Sequence, residues 1–270
     1  MERTHRARSA SLFAALLFTG LAQAAEHPAQ PCDEATLHAL GRQLGQPGWA
    51  VPGAESNGPV VAAACKPWPD DDKRLAAAEP GEQAAPGERN LHLLVALLDR
   101  TSGTLQQHQD SPIGEDAMVE LDSSSLWLDT ARYRLAPEVR AFGVVVSSVA
   151  RGASCPDGWG YDALSLYAPD GQQLREVFTT YLNQWFTLRG TSCVSNKPFS
   201  LERSQLSLAL GSSSHHGFAD LVIRARVQRE DDGEPSGKPR TVKTTVQYDG
   251  KRYPFDEFST FWQSQPVNQE

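Results

Sequence analysis

The sequence predicts a mainly β protein: antiparallel sheets built from about two to three propeller-blade-like repeats, with one short N-terminal helix. Three observations lead there. Most apolar runs alternate with a period of two or are rich in β-branched residues, Gly-containing turn pairs punctuate them, and two stretches share one strand-and-turn layout. Of the 270 residues 40% are hydrophobic, enough for a core, so disorder of the whole chain is set aside.

The first residues read as an address. MERTHRARSASLFAALLFTGLAQA, residues 1–24, has a basic start (Arg3, Arg6, Arg8), an apolar stretch from Leu12 to Leu21, and a small-x-small ending at Ala22-Gln23-Ala24. That is the layout of a cleaved signal peptide, and the stretch falls short of the roughly 17 residues a spanning helix needs. No cysteine directly follows the cleavage site, so no lipid anchor is expected there. The rest, 25–270, reads as a single β-rich domain, periplasmic or secreted. Losing Arg3, Arg6, Arg8 and Glu2 moves the formal net charge from −8 to −10. Such a surface repels nucleic acid and anionic lipid and suits a neutral or basic partner, or simply solubility.

Four cysteines are an even count, and export makes disulfides the default. Three connectivities are possible; proximity in sequence favours Cys32–Cys65 and Cys155–Cys193. Zinc is the alternative, without CxxC or HxxxH spacing to support it.

Each element has a local reason. In CDEATLHALGRQLG, residues 32–45, Leu37, Leu40 and Leu44 share a helical face, Asp33 can cap the start and Gly45 the end. A C-terminal turn is expected near Asp256–Trp262. LHLLVALLDRTSGTLQQHQ (91–109) is a strand, a turn at Arg100–Gly103 and a return within an N-terminal part, 32–120. LWLDTARYRL (126–135) and VRAFGVVVSSVA (139–150) are strands, and DALSLYAPDGQQLREVF (162–178) is a hairpin about Pro169-Asp170-Gly171. LSLAL (206–210), FADLVIRARV (218–227) and KTTVQYDGKRY (243–253) continue the pattern, the last turning back at Asp249-Gly250. AEPGEQAAPGERN (78–90) and EDDGEPSGKPR (230–240) read as exposed loops.

Units 126–178 and 206–255 align as strand, short connection, Phe-containing strand, polar loop and Asp-Gly hairpin, with a third copy suggested upstream. In that register Phe142 matches Phe218, and His215-His216 fall where the earlier unit has Pro137–Arg140. The stretch SSSHHGFADLVI (212–223) therefore reads as a turn feeding a strand, not as half a metal site with Asp220. GFADLVI followed by YDGKRY resembles a blade of FG-GAP-type repeat proteins, which form β-propellers and act in adhesion and binding, often with calcium in blade loops. The D-x-[DN]-x-[DN]-G calcium loop is absent, so the resemblance carries over no calcium ligand. Three units are also fewer than a closed propeller uses. A broader similarity to exported proteins of Gram-negative bacteria implies no function.

Signatures of catalysis are missing: no G-x-S-x-G, H-E-x-x-H, S-x-x-K, Walker or Rossmann pattern is found. No catalytic residue, metal ligand or cofactor is assigned. Carboxylates cluster at Asp70, Asp71, Asp72 and at Glu230, Asp231, Asp232; each cluster is a contact for a basic partner or a solvated loop. Trp68, between prolines beside Cys65, is either a rigid binding anchor or a cap on the core. Trp159 and the YLNQW stretch (181–185) carry the same two readings. The expected function is an exported, non-catalytic protein-binding module, an inhibitor or immunity protein against an envelope-targeting enzyme. The competing expectation is an envelope hydrolase whose site is assembled from scattered residues.

Overall fold

The computed structural model describes residues 30–45, 60–68, 71–81 (backbone path), 90–191, 193–194 and 197–264. The signal peptide expected at 1–24 lies outside them. No helix among the described residues is long and apolar enough to cross a membrane.

The helix forms where its cap chemistry sits. Helix α1 spans Glu34–Gln43 behind Asp33, whose carboxylate accepts the Thr36 N–H at 2.8 Å and the Thr36 hydroxyl at 2.7 Å. Those bonds hold the Asp33 carboxyl below its usual value. Leu37 and Leu40 are buried, and Gly45 ends the segment at φ +72°. A disulfide from Cys32 to Cys65 ties the start of the helix to the first strand.

Eleven strands follow among the described residues, and all belong to one hydrogen-bonded sheet. Strands β1 (Ala64–Trp68), β2 (Asp71–Gly81), β3 (Asn90–Asp99) and β4 (Leu105–Gly114) form a first antiparallel meander. Strands β5 (Leu126–Ala136), β6 (Val139–Val146), β7 (Gly158–Asp170) and β8 (Gln173–Arg189) form a second. Strands β9 (Ser200–His215), β10 (Phe218–Asp231) and β11 (Glu234–Val246) form a third. Strand β8, 17 residues long, joins all three. Its start meets β4 in a single parallel bridge, His108 to Gln173, and its far half pairs with β9 from Asn183 to Arg189. The sheet therefore forks at β8.

Three hydrophobic clusters fill the layers. One lies between α1 and β3, where Leu37 and Leu40 meet Leu94, Ala96 and Leu98. The opposite face of β3 (Leu93, Val95, Leu97) packs on Leu128, Phe142, Val144 and Tyr167 of the second meander. Strands β3 and β6 are thus buried on both faces, which explains their nearly unbroken apolar runs. The largest cluster lies inside the curl of β5–β11, from Tyr133 and Leu135 across to Ile223, Ala225 and Val246.

A segment without regular structure, residues 247–264, closes that curl. It contributes Tyr248, Tyr253 and Trp262 to the core. Three polar anchors hold it. The Tyr253 N–H donates to the carbonyl of Val177 at 2.7 Å, and Val177 has no register partner on β7. Gln184, 1% exposed, donates to the Glu257 carbonyl and accepts from the Trp262 indole N–H. Glu202, with its side chain 4% exposed, takes Arg240, the Ser264 N–H at 2.8 Å and the Ser264 hydroxyl at 2.7 Å. Arg240 also donates to the Trp262 carbonyl at 2.6 Å.

Four expectations change. The segment 230–240 is a hairpin and not a loop: β10 and β11 run to either side of Asp232 (φ +51°) and Gly233 (φ +86°), the positive-φ pair of a tight turn. Pro235 and Pro239 fit there because β11 pairs only with β10 and is an edge strand. The upstream loop 78–90 begins later, because β2 continues through Gly81. Asp249-Gly250 does turn the chain, with the Lys251 and Arg252 N–H groups on Asp249 Oδ1, but no return strand follows. Propeller-blade repeats are not confirmed either. Units 126–178 and 206–255 are parts of one sheet, and Phe142 packs under the first meander whereas half-buried Phe218 stacks on Tyr248 beside the other core.

Glu202→Ala is expected to lower stability by about 2 kcal/mol, read as a shift in the urea midpoint. Loss of a fully buried pair costs about 3–5 kcal/mol, discounted here because the Arg240 side chain is 37% exposed. Three tyrosines give a second test. Burial, and after it Asp129 for Tyr133, Glu176 for Tyr167, and Tyr248 with Asp220 for Tyr253, pushes their hydroxyls well above the ordinary value of 10.0. A raised folded-state value gives stability that is complete below pH 10 or so and is lost as pH climbs toward the folded values. In an alkaline absorbance titration these three should ionise only together with unfolding.

Candidate functional site

Local pairing explains most of the singled-out residues. Glu230, Asp231 and Asp232 lie at the tip of the β10–β11 hairpin. Glu230 is salt-bridged to Arg203 at 2.7 Å, Asp231 to Arg229 at 3.0 Å, and Asp232 accepts the Phe199 N–H at 2.9 Å. The Asp231 carboxyl sits below its usual value, chiefly through a hydrogen bond with Ser236 and then one from Arg229. Each carboxylate is therefore engaged within the hairpin region. Asp71 and Asp72 begin β2, and Asp70 lies outside the described residues.

Trp68 takes the second of its two roles. It ends β1 with 3% exposure, edge-on to Phe142 at 5.7 Å, under the Arg140 guanidinium at 5.0 Å. As an exposed anchor it is corrected: the ring faces the core between the first two meanders because β1 packs beside β5. Both disulfides are present, Cys32–Cys65 and Cys155–Cys193, with Cα separations of 4.8 and 5.8 Å.

The histidines answer the question raised by SSSHHGFADLVI. His216 (φ +49°) and Gly217 (φ +86°) are the two central residues of the β9–β10 hairpin turn, with His215 opposite Phe218. His215 Nδ1 lies 2.7 Å from Asp220 Oδ1, and Asp220 is buried at 3%. A buried carboxylate behind a half-exposed imidazole is the orienting half of a base–nucleophile arrangement. No hydroxyl or thiol among the described residues is bonded to that ring, and no group of three or more metal-ligating side chains occurs among them. The pair pins the turn to the sheet. A hollow of about 270 Å³ lies at the helix end between Arg42, Gln43 and Ser102–Thr104, and neither His215 nor Asp220 lines it.

One surface brings charged and polar side chains together without a packing role. Along β9, β10 and β11 burial alternates: Leu206, Ile223, Ala225 and Val227 point into the core, while Arg203, Gln205, Ser207, Arg224, Arg226, Thr241 and Lys243 are exposed on the opposite face. Register fixes their neighbours. Arg224 stands opposite Ser207 on one side and Lys243 on the other, Arg226 stands between Gln205 and Thr241, and Arg203 stands between Trp185 and Gln228. Trp185 is opposite Trp159 in turn, and the Arg203 guanidinium lies 6.0 Å from the Trp185 ring. Glu230 is the acid on this face, at its end, and Arg203 takes it. Arg224, Arg226 and Lys243 have no acidic partner among the described residues. Attention to acidic runs misses this face; the alternation in IRARVQR marks it.

Comparison with protein-family models, with curated proteins and with solved structures finds no match for this chain.

Gly217→Ala should destabilise the β9–β10 hairpin by about 1 kcal/mol, since an L side chain is strained at positive φ. His216→Asn, which suits that backbone region, should be neutral or slightly stabilising. Thermal unfolding of both variants checks the turn assignment.

Proposed function

We propose that the chain is an exported, non-catalytic protein-binding module, of the inhibitor or immunity kind that occludes an envelope-targeting enzyme. The observation that supports it is the outer face of β9–β11, which no described element covers. Seven side chains there stand in solvent, on a sheet whose other face is locked into the core and pinned by Glu202 and Gln184. A rigid sheet that spends no core contact on one face is suited to present that face. Two disulfides fit an oxidising compartment and so the exported reading. The FG-GAP likeness belongs to the same reading, as a likeness to proteins that bind.

The His215–Asp220 pair is what favours the hydrolase reading. That reading requires a nucleophile brought to the exposed imidazole nitrogen, and His215→Ala would then abolish turnover of an envelope polymer such as peptidoglycan. On the binding reading His215→Ala lowers stability and nothing else.

A photo-crosslinking residue at Ser207, on the outer face, tests the binding reading in intact cells; the control is the same residue at exposed Glu138 in the β5–β6 turn. The expected result is a discrete crosslinked protein at 207 and not at 138. No product, or the same products at both positions, overturns it.

A further inference from the structure

The charge on that face runs against the charge of the chain. The protein carries a net −8, yet Arg203, Arg224, Arg226 and Lys243 face outward together with Glu230 as their one acid among the described residues. The four cations form an oblique track. Lys243 and Arg224 are direct cross-strand partners, about 5 Å apart; Arg226 follows Arg224 on the same face at about 7 Å; Arg203 lies diagonally beyond it on β9 and reaches Trp185 on β8.

Stability does not account for this layout. Like charges directly opposite each other in a sheet repel, and Arg224 with Lys243 is such a pair. Three of the four cations are arginines, whose planar forks take carboxylates through paired hydrogen bonds. Arginine and tryptophan are also the side chains enriched where protein interfaces hold their energy. We infer that the outer face of β9–β11 docks an acidic segment of a partner protein, with its carboxylates along the Lys243–Arg224–Arg226–Arg203 track and an apolar side chain against Trp185. Charge complementarity selects the occupant: the free charge on the face is positive, while the acidic hairpin tip is already paired. The inference rests on the binding reading above and names the sign and the place of the contact.

The test uses the full exported chain and an extended peptide of alternating glutamate and threonine, labelled for fluorescence anisotropy. A heparin fragment of matched charge is measured in parallel. Variants are Arg224→Gln/Arg226→Gln on the track and Arg132→Gln, exposed on β5, as a control. The peptide is expected to bind the parent and the control alike and the double variant roughly tenfold more weakly, one factor of ten being 1.4 kcal/mol. Affinity should fall between low salt and physiological salt, where charge reaches only about 8 Å. Lys243→Thr should raise the melting temperature by a few degrees while weakening the peptide, because it relieves the opposed pair; circular dichroism shows that all variants fold. Heparin binding without peptide binding would make the ligand an anionic polysaccharide and overturn the inference. So would equal binding by the double variant, or self-association of the parent that the double variant abolishes, which would make the occupant a second copy. A crosslink at Ser207 that survives Arg224→Gln/Arg226→Gln would defeat this inference and leave the binding reading standing.

Discussion

A single sheet curled round a core leaves an open mouth, and the carboxylate of Glu202 is where this one is closed. It sits on the inner face of β9 with its side chain 4% exposed, where a charge needs several partners to be tolerated. Arg240 from β11, the Ser264 N–H and the Ser264 hydroxyl supply them. The same arginine takes the Trp262 carbonyl, so one ionic group fixes the edge strand and the closing segment together. Trp262 then plugs the core against Phe186, and its indole N–H finds Gln184. Without regular structure, residues 247–264 depend on such side-chain partners for what a strand would obtain from its neighbours.

The acidic composition says little about how charge is used. At the hairpin tip Glu230, Asp231 and Asp232 meet Arg203, Arg229 and a backbone N–H, and Asp249 collects the N–H groups of its own turn. These carboxylates do local work in ordering turns. Arg224, Arg226 and Lys243 do none, since their neighbours on the face are Ser, Gln and Thr or, for Arg224 and Lys243, each other. Net charge thus points one way and the uncompensated charge of the open sheet face points the other. Recognition at short range follows the second, because salt screens the sum while leaving contacts intact.

What the sequence made legible was local. Asp33 at the helix start, Gly45 at its end, the His216-Gly217 and Gly171 turns and both disulfide pairings depend on residues close in the chain or on compartment, and short-range chemistry decides them. What it hid was pairing at a distance. The fork at β8 rests on one parallel bridge between His108 and Gln173, and Glu202 and Ser264 are 62 positions apart. Pro235 and Pro239 were misleading because proline breaks a central strand but not an edge. Trp68 between two prolines has the look of a rigid exposed loop, yet β1 turns it inward beneath Arg140. Of the candidate surface, the outward set Arg224 and Arg226 is visible in the alternation of β10; that Lys243 faces Arg224 follows only from register.

Register is also what lets one strand serve two purposes. On β9, Glu202, Ser204 and Leu206 face the core while Arg203, Gln205 and Ser207 face solvent, so closure and presentation are separated by a single residue. A slip of one position would carry Glu202 into water and Arg203 into the core, releasing the closing segment and removing a cation from the face at once. The β9–β10 hairpin resists that slip at both ends. His216-Gly217 fixes the turn, and the His215–Asp220 contact holds the irregular step where pairing shifts between Ala219 and Leu221. Farther along, Glu230 on Arg203 and Asp232 on the Phe199 N–H fasten the other end. The two sequence features that first invited a functional reading, the paired histidines and the acidic run, thus act as pins for the register on which the outer face depends.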